Sequence, residues 1–128
     1  MTGKQMAAHI DELTAEHGIT VGDHSRGGRA WRKSKRINIR PVKTAITYAV
    51  ALHEIGHVVG PKQSGRRLER ELAAWQWARQ NAKAWSPAMT AKAAKGLNSY
   101  INRYRRHKTA IVDEAVVVEI NQFCKSEG

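Results

Sequence analysis

Apolar positions along the chain follow two rhythms, and the change from one to the other marks the elements. In residues 3–17, Met6, Ile10 and Leu13 fall three and four apart, which predicts an amphipathic helix stopped by Gly18. Shorter extended pieces follow at Ile19 to Val21, Arg29 to Arg32 and Lys35 to Arg40, the last with Ile37 and Ile39 on a common face. Gly27-Gly28 marks a turn and Pro41 closes the region, so these pieces predict a small antiparallel sheet. Thr44 to Val59 is apolar nearly all round, the pattern of a buried helix, and Gly60-Pro61 ends it.

The second half is helical. A third helix is predicted from Arg66 to Ala84, with Leu68, Leu72, Trp75, Ala78 and Ala82 on its core face. Ser86-Pro87 opens a fourth, Ser as N-cap and Pro at the first helical position, with Met89, Ala93, Leu97, Tyr100 and Tyr104 on one side. Residues 111–124 place Val112, Val116, Ile120 and Phe123 at helical spacing, while the β-branched run Val116-Val117-Val118 leaves a strand open as an alternative. The order of elements predicts an α+β fold.

The chain has 128 residues, which suits one domain spanning 1–128, long enough for a core without disulfides. The single cysteine, Cys124, excludes a disulfide framework and reads as a buried apolar residue. No apolar run approaches the roughly 20 residues that cross a bilayer, and residues 1–18 lack the apolar stretch of a signal peptide. A cytoplasmic protein with no membrane contact is the expectation.

Charge changes the picture through its distribution. Of 22 Lys/Arg, all but Lys4 and Lys125 lie between His24 and Val112, where the only acids are Glu54, Glu69 and Glu71. Three carboxylates left in so basic a region serve chemistry, or else partner Arg66, Arg67 and Arg70. Arg26 to Lys43 holds eight basic residues and no acid. That stretch reads equally as non-specific nucleic-acid contact through phosphate neutralisation and as a solvated face that keeps the protein soluble. No helix-turn-helix or zinc-finger pattern accompanies it. A third reading joins the charge to the chemistry below: a basic surface that recognises an acidic or DNA-bound protein substrate.

Within the buried helix stands His53-Glu54-Ile55-Gly56-His57, an H-E-x-x-H motif. Histidines four apart project from one face and can share a zinc ion, with the intervening Glu beside them to accept a proton from water. Buried and unpaired, such polar groups would cost about 1–3 kcal/mol each, and a metal would satisfy both histidines at once. The alternative is a pair of core histidines bonded to backbone or water. A catalytic zinc takes a third protein ligand. Glu71 lies in the middle of the third helix's core face, whereas Glu69 groups with Gln76 and Gln80 on the polar side. Glu71 is therefore the candidate third ligand, the alternative being an ion pair with an arginine.

The pattern His53, His57 and a downstream helical Glu71 resembles the gluzincin metallopeptidases. LHEIGHVVG followed by ERELAAWQWA resembles, more narrowly, the small phage and mobile-element peptidases of the ImmA/IrrE type, over roughly residues 37–84. Glu71, Ala74, Trp77 and Ala78 fit the family's E-x-x-A-x-x-aromatic-A helix; Trp75 stands where an Asn often follows the alanine, and the Met-Pro ending is absent. A metzincin would need a third histidine at position 63, which is Gln63.

The resemblance implies a minimal zincin fold with zinc held by His53, His57 and Glu71. It implies Glu54 as general base in hydrolysing the peptide bonds of an intracellular protein or peptide. It also implies that substrate adds as a strand to a sheet edge, for which Lys35 to Arg40 is the candidate. Tyr100, Tyr104 and His107 are the available second donors to the oxyanion. His9, His17 and His24 read as surface residues, and Trp75, Trp77 and Trp85 as core or pocket wall. Two other functions stay open: a basic DNA-binding accessory protein with a structural zinc, and a catalytically silent zincin-fold interaction module.

Overall fold

The computed structural model describes residues 1–107 and 112–125. Helix α1 (Gly3–His17) starts from a Thr2–Gln5 capping box and ends at Gly18, whose φ of 66° is the left-handed conformation that glycine adopts without penalty. Strands β1 (Thr20–Asp23), β2 (Gly28–Trp31) and β3 (Arg36–Ile39) follow, then four helices: α2 (Ala45–Val59), α3 (Arg67–Asn81), α4 (Pro87–Arg106) and α5 (Glu114–Lys125). The α+β class holds. Of the 111–124 segment, residue 111 lies outside the described residues, Val112 and Asp113 precede the helix, and the chain is helical from Glu114 onward, because Val116, Val117, Ile120 and Phe123 bury one helical face. Among the described residues no helix is long and apolar enough to cross a membrane.

The sheet differs from the expected antiparallel one. Its order is β1-β3-β2, with β3 antiparallel to β2 and parallel to β1. Two reversals of the chain, at residues 24–27 and 32–35, restore the direction of β1. The strand that enters the centre is β3, which owns the buried pair Ile37 and Ile39. Lys35 to Arg40 is thus no edge; hydrogen bonds occupy both its sides. The edges are β1 and β2.

Helix α2 is the axis of the molecule. It touches α1, α3, α4, β2 and β3, which is why its sequence is apolar around almost its whole circumference. Buried apolar side chains from α1, β3, α3, α4 and α5 join it in one cluster. Helix α3 ends at Asn81, earlier than expected, because the Lys83 backbone N–H turns away to donate to the Tyr48 hydroxyl on α2. That hydroxyl also lies 2.6 Å from His9 Nδ1. His9 is therefore a buried residue and not a surface one; it sits beside Ile10 on the face of α1 that packs on α2, and burial with the charge of Lys83 pushes its imidazole below the ordinary value. His17 and His24 are half-buried, His17 edge-on to Trp77. Cys124 is partly buried against the core, and that burial raises its thiol above the usual range, which fits an inert packing role.

Candidate metal centre

Close packing of two helices builds the site. A Cβ added to Gly56 would lie 2.7 Å from the carbonyl oxygen of Ala74, so α2 and α3 touch backbone to backbone between the motif's two histidines. Only glycine fits there. The contact brings Glu71, three residues before Ala74, under His53 and His57. His53 Nε2 lies 2.8 Å and His57 Nε2 2.6 Å from the same oxygen, Glu71 Oε2. The three donor atoms sit within 4.8 Å of one another, so this group could hold a metal ion. Glu71 is buried, whereas Glu69 is half-buried and outside the cluster, its carboxylate near Gly65.

Each imidazole is held from behind. His53 Nδ1 is 3.0 Å from Glu54 Oε1, and its ring stacks on Trp75 at 4.1 Å between centroids and 14° between planes. His57 Nδ1 is 2.8 Å from Gln63 Oε1. The Gln63 amide nitrogen donates to the carbonyls of Pro61 and Arg70, so its oxygen must face His57 and accept a hydrogen bond from the Nδ1 N–H. That leaves His57 Nε2, the nitrogen facing Glu71, for a ligand. Arg32 donates to the carbonyls of His57 and Gly60 and secures the end of α2.

In the sequence, Gln63 stands where a metzincin would carry its third histidine. It sits in a short turn with no periodicity to assign it a face, so its partner became visible only when α2 and α3 met. Its loss has a defined consequence: Gln63→Ala is expected to weaken metal binding by about 10–100-fold, the usual effect of removing a partner behind a ligating histidine. Competition with a chromogenic chelator measures it, and an unchanged affinity would remove Gln63 from the site.

The His53 and Glu71 side chains titrate as one coupled cluster. Burial alone would push the His53 imidazole down, but its hydrogen bonds to Glu54 and Glu71 outweigh that and raise it to about 9. Burial alone would raise the Glu71 carboxyl, yet the two histidines hold it far below the ordinary carboxylate range. A raised His53 contributes stability that is complete below its ordinary 6.5 and is lost as pH climbs through about 9. The depressed Glu71 contributes stability that is present above its ordinary 4.5 and lost on acidification. Metal-free protein is therefore expected to be most stable between those ordinary values and to lose thermal stability from pH 6.5 to 9, while metal affinity rises over the same interval as His53 gives up its proton. A melting temperature of the metal-free chain that climbs across that interval would contradict this.

The cluster forms the floor of an open cleft of about 650 Å³. One wall is β2 with Gly27, Gly28, Arg29 and Ala30; the other comes from α3 and α4 with Arg67, Trp75 and Tyr100. Gly28 has a packing reason to be glycine, since a Cβ there would meet Glu54 Cγ at 2.8 Å. Of the three expected oxyanion donors only Tyr100 lines this cleft; Tyr104 lines a separate pocket beside Val112, and His107 is exposed at the end of α4. Burial and the neighbouring Glu71 charge raise the Tyr100 phenol, keeping it a proton donor, while Arg67 lies 3.5 Å from its hydroxyl. From the basic stretch Arg26 to Lys43, Arg29 and Arg32 face the cleft; Lys33, Lys35, Arg40 and Lys43 are exposed.

No family model, curated protein or solved structure matches the chain.

Proposed function

We propose that the protein is a zinc-dependent metallopeptidase of the gluzincin type, similar to the small ImmA/IrrE peptidases, acting on a protein or peptide substrate. The observation that carries this reading is the convergence of His53, His57 and Glu71 on one point in the floor of an open cleft, with Glu54 beside them and a free strand edge above. Two imidazoles and one carboxylate are a donor set of catalytic zinc, which keeps a fourth position open. Their donor atoms lie within 4.8 Å of one another, close enough for His53, His57 and Glu71 to share one ion.

When bound, zinc supplies Lewis acidity that makes water a nucleophile near neutral pH and polarises a carbonyl. The chain's own groups would do the rest. Glu54, lodged between His53 and Gly28, lies between the metal ligands and the β2 edge, positioned to take a proton from water and return it to the leaving amine. The β2 edge, free where β3 is not, offers backbone groups to hold an extended peptide across the floor. Tyr100 would donate its hydroxyl proton as a hydrogen bond to the oxyanion from the opposite wall. Mass-spectrometric detection of new N-termini in a protein mixture, produced by the zinc-loaded chain and abolished by a chelator, tests the activity. Cleavage that persists in chelator would overturn it.

A further inference from the structure

Five cations line the cleft: Arg29 on β2, Arg32 just beyond it, Arg67 and Arg70 on α3, and Lys92 on α4. They come from both walls, from segments far apart in sequence. Among the described residues its only carboxylates are Glu54 and Glu71, and both are taken by histidines at 3.0 Å or less. Outside the site the ion pairs among the described residues are Lys83–Glu12 and Arg105–Glu114, so none of the five cations is neutralised by a carboxylate within contact distance. Aromatic rings hold two of them in place without cancelling their charge: Arg29 lies over Trp31 and Arg67 over Tyr100. Arg70 Nε is buried with no hydrogen-bond partner among the described residues.

Cations without a contacting carboxylate on both walls of a concave site concentrate anions there. The floor is different. Two carboxylates offset a divalent metal, leaving the floor close to neutral, which suits an uncharged peptide backbone better than a line of phosphates. The free β2 edge also offers backbone pairing, which a peptide can use and a nucleic acid cannot. We propose that the cleft selects an extended peptide bearing Asp or Glu on both sides of the bond held over His53, His57 and Glu71, a substrate class that rests on the peptidase reading above.

Binding tests this apart from turnover. The probe is a fluorescein-labelled synthetic peptide with Glu at alternating positions, compared with the same peptide carrying Gln at those positions, on zinc-loaded Glu54→Gln protein. The Glu peptide is expected to bind at least about tenfold more tightly, an advantage that shrinks with added salt. The advantage is expected to collapse in the Arg29→Gln, Lys92→Gln double variant. The same ranking is expected on the metal-free wild-type chain, which keeps the measurement valid if the Glu54 variant fails to load. Equal binding of the two peptides would overturn the proposal, as would an advantage that survives the double variant. A single-stranded oligonucleotide that binds more tightly than the Glu peptide and displaces it would overturn it in favour of nucleic acid. Failure of the peptidase reading itself appears elsewhere, as missing zinc or missing hydrolysis.

Discussion

Replacing Glu71 by alanine is expected to strip the metal from the protein, while Glu69→Ala leaves it bound. Two residues apart on α3, these carboxylates point in different directions: Glu71 is buried with one oxygen between both imidazoles, and Glu69 is half-buried outside the cluster. Without Glu71 two histidines remain, too few for the three-ligand site of a catalytic zinc. The affinity loss should exceed the roughly 10–100-fold that follows removal of a group behind a ligand. Zinc retained after dialysis against a weak chelator measures both variants side by side. Equal losses, or a greater loss in Glu69→Ala, would sink the ligand assignment.

The second large effect concerns catalysis alone. Glu54→Gln keeps the side chain's volume against Gly28 and an amide oxygen that can still accept from His53 Nδ1, so zinc is expected to stay. What the amide cannot do is take a proton from water. Loss of a positioned general base lowers turnover by about 10²–10⁴-fold. Single-turnover hydrolysis of any peptide the wild type cleaves would show this. An unchanged rate would remove Glu54 from the chemistry, and loss of zinc would make it a support for His53 instead.

Much of this centre was legible before any coordinates, because it is built from local periodicity. Four-residue spacing put His53 and His57 on one face, the all-round apolar pattern made their helix buried, and the core-face arc of α3 separated Glu71 from Glu69. What escaped depended on pairing between distant segments. Four-residue strands carry an in–out alternation but no record of their neighbours, so β3 reads as readily as an edge as it does as the centre. His9 reads as polar because its partner Tyr48 is on another helix. Gln63 lies in a turn, where no rhythm assigns a direction. The basic stretch's charge was likewise plain, but that Arg29 and Arg32 line one cleft with Arg67, Arg70 and Lys92 follows only from the fold.

The glycines show the same division. Gly18 announced a helix end through its position alone, whereas Gly56 and Gly28 matter through what a side chain would strike, the Ala74 carbonyl and the Glu54 side chain. Both are tests of spacing at the site, one between the two helices and one between Glu54 and the strand edge.

Metal content per chain decides whether His53, His57 and Glu71 hold zinc. Elemental mass spectrometry of protein purified without added zinc or chelator is predicted to find about one zinc per chain, lost in His57→Ala, as a single three-ligand site requires. A chain that carries no metal, and takes up none on titration at neutral pH, would contradict the account and leave His53, His57 and Glu71 as a buried hydrogen-bonded cluster.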